Sequence, residues 1–313
     1  MSTSRTNAAV PDLAQPISFE DRYGAGTDRA ISLGGGGLFF VAWQIAYLNG
    51  LRSRGVRLDA AETVVGTSAG SIVAAILTAR KLQRFGMKVE LLAKVPALVE
   101  ALAPIGDPLA SQMRATNLFG TATDAEPDTI RAIGHAALAA SAMPAEKLQR
   151  SIGLVMGART WRSAALQIST VDSYTGERLI LRREHGLTLP QAAAASASVP
   201  GLFQPQLIQD RRCMDGGVSG SGTHCDRIAG SRRALVVSLV GSDATTPGGM
   251  TMAPDGQIDE IARLRDTGTE VRVVGPSGVS IDELMDPSSV ATALEQGEAQ
   301  AEHDAADLLT FWN

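Results

Sequence analysis

Residues 63–75, TVVGTSAGSIVAA, constrain this chain more than any other stretch. Apolar β formers run into Gly-Thr-Ser-Ala-Gly and then directly into an alanine-rich run with Ile72, Ile76 and Ala79 on one helical face. A strand and a helix this close in sequence need a very sharp bend at Ser68. Gly66 and Gly70 remove the side chains that such a bend would crowd. Residues 30–55 repeat the plan, with a strand over 30–33, a glycine turn over 34–37, and Val41, Ile45 and Leu48 at helical spacing. Two strand–turn–helix units in succession predict an α/β fold on a central, mostly parallel sheet.

The remaining chain supplies further pieces of that fold. Residues 1–27, rich in Ser, Thr, Pro and Asp, read as a flexible N-terminal arm before a single domain over 28–313. Residues 86–158 are rich in Ala and Leu with several Pro and Gly breaks, and read as a helical insertion beside the sheet. Two β-rich runs around Ser173-Tyr174-Thr175-Gly176 signal a hairpin. A small-residue helix ends at Pro200-Gly201, and CMDGGVSGSGTHCD follows as a glycine-rich loop. RALVVSLVG and EVRVVG are buried-strand sequences, and a long helix closes the chain.

With 313 residues, 44% of them hydrophobic, one sizeable core is affordable by composition alone. A net charge of −5 argues against a nucleic-acid partner, which would select a basic face. Two cysteines make no disulfide framework, and no signal-peptide core or apolar run of about 18 residues is present. A cytoplasmic protein is expected, touching membranes only peripherally.

Gly66-Thr67-Ser68-Ala69-Gly70 is G-x-S-x-G, the pattern of a nucleophile elbow, and its demanded context of strand before and helix after is met. The helix also aims its N-terminal N–H groups at Ser68. Gly34-Gly35-Gly36-Gly37 opens the earlier helix and can turn several backbone N–H groups to a common point, as an oxyanion or a phosphate requires. A dinucleotide loop is excluded, because Phe39 and Phe40 stand where its third glycine belongs, and no G-K-[ST] occurs. A nucleophilic serine needs a base. None of the four histidines, His135, His185, His224 and His303, has a persuasive setting, although His224 lies near the glycine-rich loop. The other base on offer is Asp215, followed by two glycines in a dipeptide context that also serves plain turns.

The order of glycine-rich loop, G-x-S-x-G and D-G-G resembles the patatin-like phospholipases over most of the chain, from about Arg29 to at least Val240. LGGGGLFFVAWQIAYLNGL, VVGTSAGS and ASASVPGLFQPQLIQDRRCMDGG are similar to the blocks of bacterial members. The resemblance implies a three-layer α/β/α fold and hydrolysis of acyl-ester lipids by a Ser–Asp dyad without histidine. It makes Ser68 the nucleophile and Asp215 its base. Gly35, Gly36 and Gly37 become the oxyanion hole, and no metal or cofactor is implied. An inactive lipid- or protein-binding member, and an acyltransferase or esterase using a histidine, are the rival readings. The family pattern G-G-G-x-x-G, usually with Arg or Lys before the last glycine, departs here at Phe39 and Phe40. These rings either bury in the core or line the pocket as substrate-binding residues that favour slim, uncharged esters. The helical insertion, through Val95, Leu98 and Leu102, is the expected point of transient contact with a lipid surface.

Overall fold

Ile31 and Leu33 point to one face of strand β1 (Arg29–Leu33) and Ala30 to the other, and all three are fully buried. A strand with no wet face must be covered on both sides. The computed structural model, which describes residues 12–95, 107–240 and 250–313, provides that cover as a three-layer α/β/α sandwich. β1, β2 (Thr63–Gly66), β3 (Leu166–Asp172), β7 (Arg233–Val237) and β8 (Glu270–Val274) run parallel in the order β3-β2-β1-β7-β8. Three strands run against β3 or its partner. β4 (Arg178–Leu181) makes the expected hairpin with β3, β6 (Arg211–Asp215) pairs with β3, and β5 (Gln206–Ile208) pairs with β6.

On one face lie α1 (Gly37–Ser53), α2 (Ala69–Thr78), α3 (Leu82–Ala93), α6 (Ala145–Met156), α7 (Leu189–Ser196) and α9 (Ser289–Trp312), around the main core. The other face carries α8 (Gly256–Asp266), and α5 (Pro127–Ala139) packs there with α4 (Ala110–Thr121). The expected helical insertion is therefore divided. α3 and α6 join the main core, whereas α4 and α5 cover the sheet end near β3 and β6. Leu98 and Leu102 lie outside the described residues. No helix among the described residues is long and apolar enough to cross a membrane.

The N-terminal segment departs from the expectation of a flexible arm. From residue 12 it is fixed to the sheet: Gln15 N–H donates to the Arg178 carbonyl at 2.9 Å, and Leu13 and Phe19 are buried. Arg178 explains the docking. Its guanidinium holds Asp226 through two contacts of 2.7 Å with both partners buried, and donates to the carbonyls of Gln15 and Pro16 at 2.8 and 2.6 Å. A buried charge pair is tolerable only when its remaining donors are satisfied, and the N-terminal carbonyls do that. Residues 1–11 lie outside the description.

Phe39 and Phe40 are corrected from pocket lining to core: they are 1% and 0% exposed. The reason lies in α1 itself. Phe40, Trp43 and Tyr47 recur on one side of the helix, with ring centroids 5.7 Å and 4.8 Å apart, and Tyr47 O–H reaches Asp304 of α9 at 2.9 Å. α1 is sandwiched between the sheet and α9, so its aromatic side has no water to face. Phe40 also fills the space behind the glycine loop, where a Cβ on Gly36 would come 2.7 Å from Phe40 Cβ. Phe40→Ala is expected to cost about 3–5 kcal/mol of stability, as phenylalanine deletions from tight cores do. Chemical denaturation measures this; a near-neutral result would show that Phe40 is not core.

Candidate active site

Three chain segments meet at the carboxyl edge of the parallel strands, the usual place for ligands in open α/β sheets. Gly34 follows β1, Ser68 follows β2, and Asp215 ends β6. Register sets their levels. Gly66 pairs with Ile168, and Thr170, two residues on, pairs with Asp215. Ser68 is likewise two residues beyond Gly66, so Ser68 and Asp215 stand level on either side of β3.

Ser68 occupies a strained turn with φ 51° and ψ −120°, in the region that non-glycine residues rarely adopt. The strain is held by the close packing that the glycines allow. A Cβ on Gly70 would lie 2.0 Å from the Leu33 carbonyl oxygen, and one on Gly66 would lie 2.7 Å from Ser71 Cα. The turn is tied down on every side. Thr67 N–H donates to Leu33 O at 3.0 Å, Gly70 N–H to Gly34 O at 3.1 Å, and Ser68 N–H to Ser196 Oγ at 2.8 Å. Ser196 was not legible as a site residue. It arrives because Ala192, Ala193, Ala194 and Ala195 let α7 approach β3 and α2 closely.

The glycine loop lies against this turn: a Cβ on Gly35 would be 3.1 Å from Ser68 Cβ and 3.8 Å from its Oγ. Gly35 N–H already donates, at 3.3 Å, to Gly222 O. Among the described residues, the N–H groups of Gly36 and Gly37 have no acceptor within the protein. Gly37 (φ 66°) could carry no side chain, since a Cβ would sit 2.3 Å from Leu284 O.

Asp215 is buried, and its Oδ1 accepts the Gly217 N–H at 2.9 Å. The Asp-Gly step is more than a turn here, because a Cβ on Gly216 would strike Ser169 Oγ at 2.4 Å. Asp215 Oδ2 is buried without a formed hydrogen bond. The Ser68 hydroxyl nevertheless acts on the carboxylate, opposing the shift that burial imposes. The two observations fit a Ser68 hydroxyl that faces Asp215 without the length and angle of a formed bond, a common state of unliganded sites. Burial dominates and pushes the carboxyl up to about 6, with Ser68 and Gly217 pulling it down.

No histidine hydrogen-bonds to Ser68 among the described residues. His135 and His303 are exposed. His185 Nδ1 accepts the Arg182 N–H at 2.9 Å. His224 is fully buried with Nδ1 3.1 Å from Arg178 Nη1, and burial followed by that cation drives its imidazole well below the ordinary value.

Beside Ser68 opens a cavity of about 170 Å³. Val41 of α1, Ile72 of α2, Phe85 and Val89 of α3, and Ile152 and Val155 of α6 line it. Among the described residues, Ser68 and Ser151 are the only polar side chains on its wall, and none is charged. Phe39 and Phe40 take no part in it.

The model of the family described as patatin-like phospholipase matches residues 31–223. Among solved structures, VipD from Legionella pneumophila is similar at 11% identity, over 91% of this chain and 67% of that one, with a TM-score of 0.42. The type III effector protein ExoU is similar at 18% identity, over 87% of this chain and 53% of that one, with a TM-score of 0.32; this chain thus spans about half of ExoU. No curated protein sequence matches. The family match covers more than half of the chain and takes in the glycine loop, the Ser68 turn and Asp215, so the chain belongs to the patatin-like phospholipase family.

Proposed function

We propose that this protein is a lipid acyl hydrolase in which Ser68 and Asp215 act as a dyad and the glycine loop stabilises the oxyanion. Family membership supports lipid acyl hydrolysis in general. The observation that carries the finer reading is the placing of a buried, unsaturated carboxylate oxygen level with a strained serine.

Asp215 takes the proton of Ser68 as Oγ attacks an ester carbonyl. The free N–H groups of Gly36 and Gly37 receive the tetrahedral oxyanion. Asp215 then gives its proton to the leaving alcohol, and the acyl group stays on Ser68. Water repeats the sequence with Asp215 as base, releasing the fatty acid and restoring the serine. A carboxylate is a weak base in water. Burial makes Asp215 a stronger one, so the same desolvation that disfavours its charge serves the reaction. The apolar cavity takes the acyl chain, since the described residues of its wall present hydrocarbon and no charge. His224 has no part in this scheme, being engaged with Arg178.

Ser68→Ala and Asp215→Asn should each lower turnover of a p-nitrophenyl ester by a factor on the order of 10⁴ or more, and the double variant should be little worse, because members of one catalytic unit are not additive. A fluorophosphonate probe should label wild type at Ser68. Full activity in Asp215→Asn would remove the dyad. Mass spectrometry of products from a mixed lipid extract identifies the ester class.

The pH dependence follows from the raised carboxyl. The base must be ionised, so kcat/KM should rise through an acidic limb near pH 6. Stability should move the opposite way. From the ordinary value of 3.8 up to about 6, the unfolded chain ionises while the folded one holds its proton, so Asp215 costs stability as pH rises through this window. Above it the cost is constant, at most about 3 kcal/mol. Asp215→Asn should therefore be more stable than wild type at neutral pH, and this gain should vanish below about pH 4. Denaturant melts at the two pH values test this; equal stability at neutral pH would show that the carboxylate is not destabilised in the fold.

A further inference from the structure

α3 and α6 turn one face to the acyl cavity and the other to water. On α3 the inner face carries Phe85, Val89 and Leu92. Its outer face exposes Met87 (56%) and Leu91 (64%), and Leu154 on α6 is exposed to 76%. Single exposed apolar residues need no explanation. These belong to two helices held side by side: Lys88 Nζ of α3 reaches the Val155 carbonyl at the end of α6 at 3.5 Å, and Lys81 Nζ reaches that of Gly157.

Charge on these outer faces opposes that of the chain. Arg84, Lys88 and Lys94 are exposed on or just beyond α3, with Glu90 the one acid among them; α6 exposes Lys147 and Arg150 beside Glu146. The chain as a whole carries −5. Exposed hydrocarbon interleaved with cations on a helix is the pattern that seats in an anionic lipid interface, where apolar side chains enter the acyl boundary and Lys and Arg meet headgroups. A nucleic acid or an acidic peptide would satisfy the cations and leave Met87, Leu91 and Leu154 in water.

We propose that the outer faces of α3 and α6 form the docking surface of this protein for anionic lipid bilayers. The proposal rests on the acyl-hydrolase reading for its purpose and on this surface alone for its evidence. A bilayer seated there lies one helix thickness from the cavity beside Ser68, about 10 Å, so docking and acyl entry share the same two walls.

The test uses the full chain as Ser68→Ala, so that no turnover alters the vesicles. Co-sedimentation is measured with phosphatidylcholine vesicles and with vesicles of phosphatidylcholine and phosphatidylserine. Binding should favour the anionic vesicles and weaken as salt screens the cations. Arg84→Gln and Lys94→Gln should each weaken it about fivefold. Leu91→Asp and, independently on the other helix, Leu154→Asp should weaken it at least about tenfold, with melting temperatures showing that each variant is folded. Unchanged binding in the aspartate variants overturns the proposal, as does absence of binding or equal binding to both vesicle types. Fluorophosphonate labelling of wild type separates the two readings: an unreactive Ser68 together with intact, variant-sensitive vesicle binding refutes the hydrolase and leaves the docking surface standing.

Discussion

The contact on which the rest of the structure depends is the one between Gly70 and the end of β1. The first turn of α2 rides directly on the Leu33 and Gly34 carbonyls, at a distance that admits a hydrogen where any side chain would need a carbon. Gly70 N–H and Thr67 N–H use those carbonyls as acceptors. One close approach thereby fixes the positions of both the glycine loop and the serine turn. It also holds Ser68 in a backbone conformation that a looser fold would relax. The loop N–H groups and the hydroxyl are brought together by backbone, so their alignment does not depend on the rotamer of any long side chain.

The polar chemistry is divided between the faces of the sheet. Towards the cavity beside Ser68 the environment is apolar, and Asp215 has one oxygen bound to Gly217 N–H and the other unsaturated. On the other face the buried carboxylates are hydrogen-bonded. Arg178 and Asp226 neutralise one another, and Glu260 accepts from Ser221 Oγ, Thr223 Oγ1 and Cys225 N–H at 2.8, 3.1 and 2.7 Å. Each of these carboxylates has partners for its oxygens, whereas Asp215 keeps one oxygen without any. A buried acceptor left open costs free energy unless something else uses it, and this orphan lies beside the serine.

His224 illustrates why proximity in sequence misleads. It lies nine residues after Asp215 in the chain, yet the 3-10 turn Gly216–Ser219 and the loop after it carry it to the side of the Arg178–Asp226 pair, where Arg178 occupies its Nδ1. Phe39 and Phe40 teach the complementary lesson. Phe39 stands at the family's basic position and Phe40 at its last glycine, beside the site, yet both rings are buried in the main core, and the pocket is lined instead by Leu38, Val41 and Ala42 of the same helix.

Local signals in the sequence determined the α/β class, the strand–turn–helix units at Gly34 and Ser68, the β3–β4 hairpin and the closing helix. In each of these, spacing of a few residues dictates the outcome: helical periodicity, alternation, and glycines where a Cβ cannot fit. The sequence also marked Ser68 and Asp215 as residues of interest, with Asp215 singled out through family resemblance. It did not reveal β5 and β6, because CMDGG reads as a loop when its strand is three to five residues long and its partner β3 lies some forty residues away. Nor did it reveal Ser196, whose role exists only because an alanine run brings α7 onto the serine turn, or the docking of residues 12–19 through the free donors of Arg178. Tertiary structure decided these because they depend on register across strands and on which buried donors remain unmet, and neither quantity is carried by neighbouring residues.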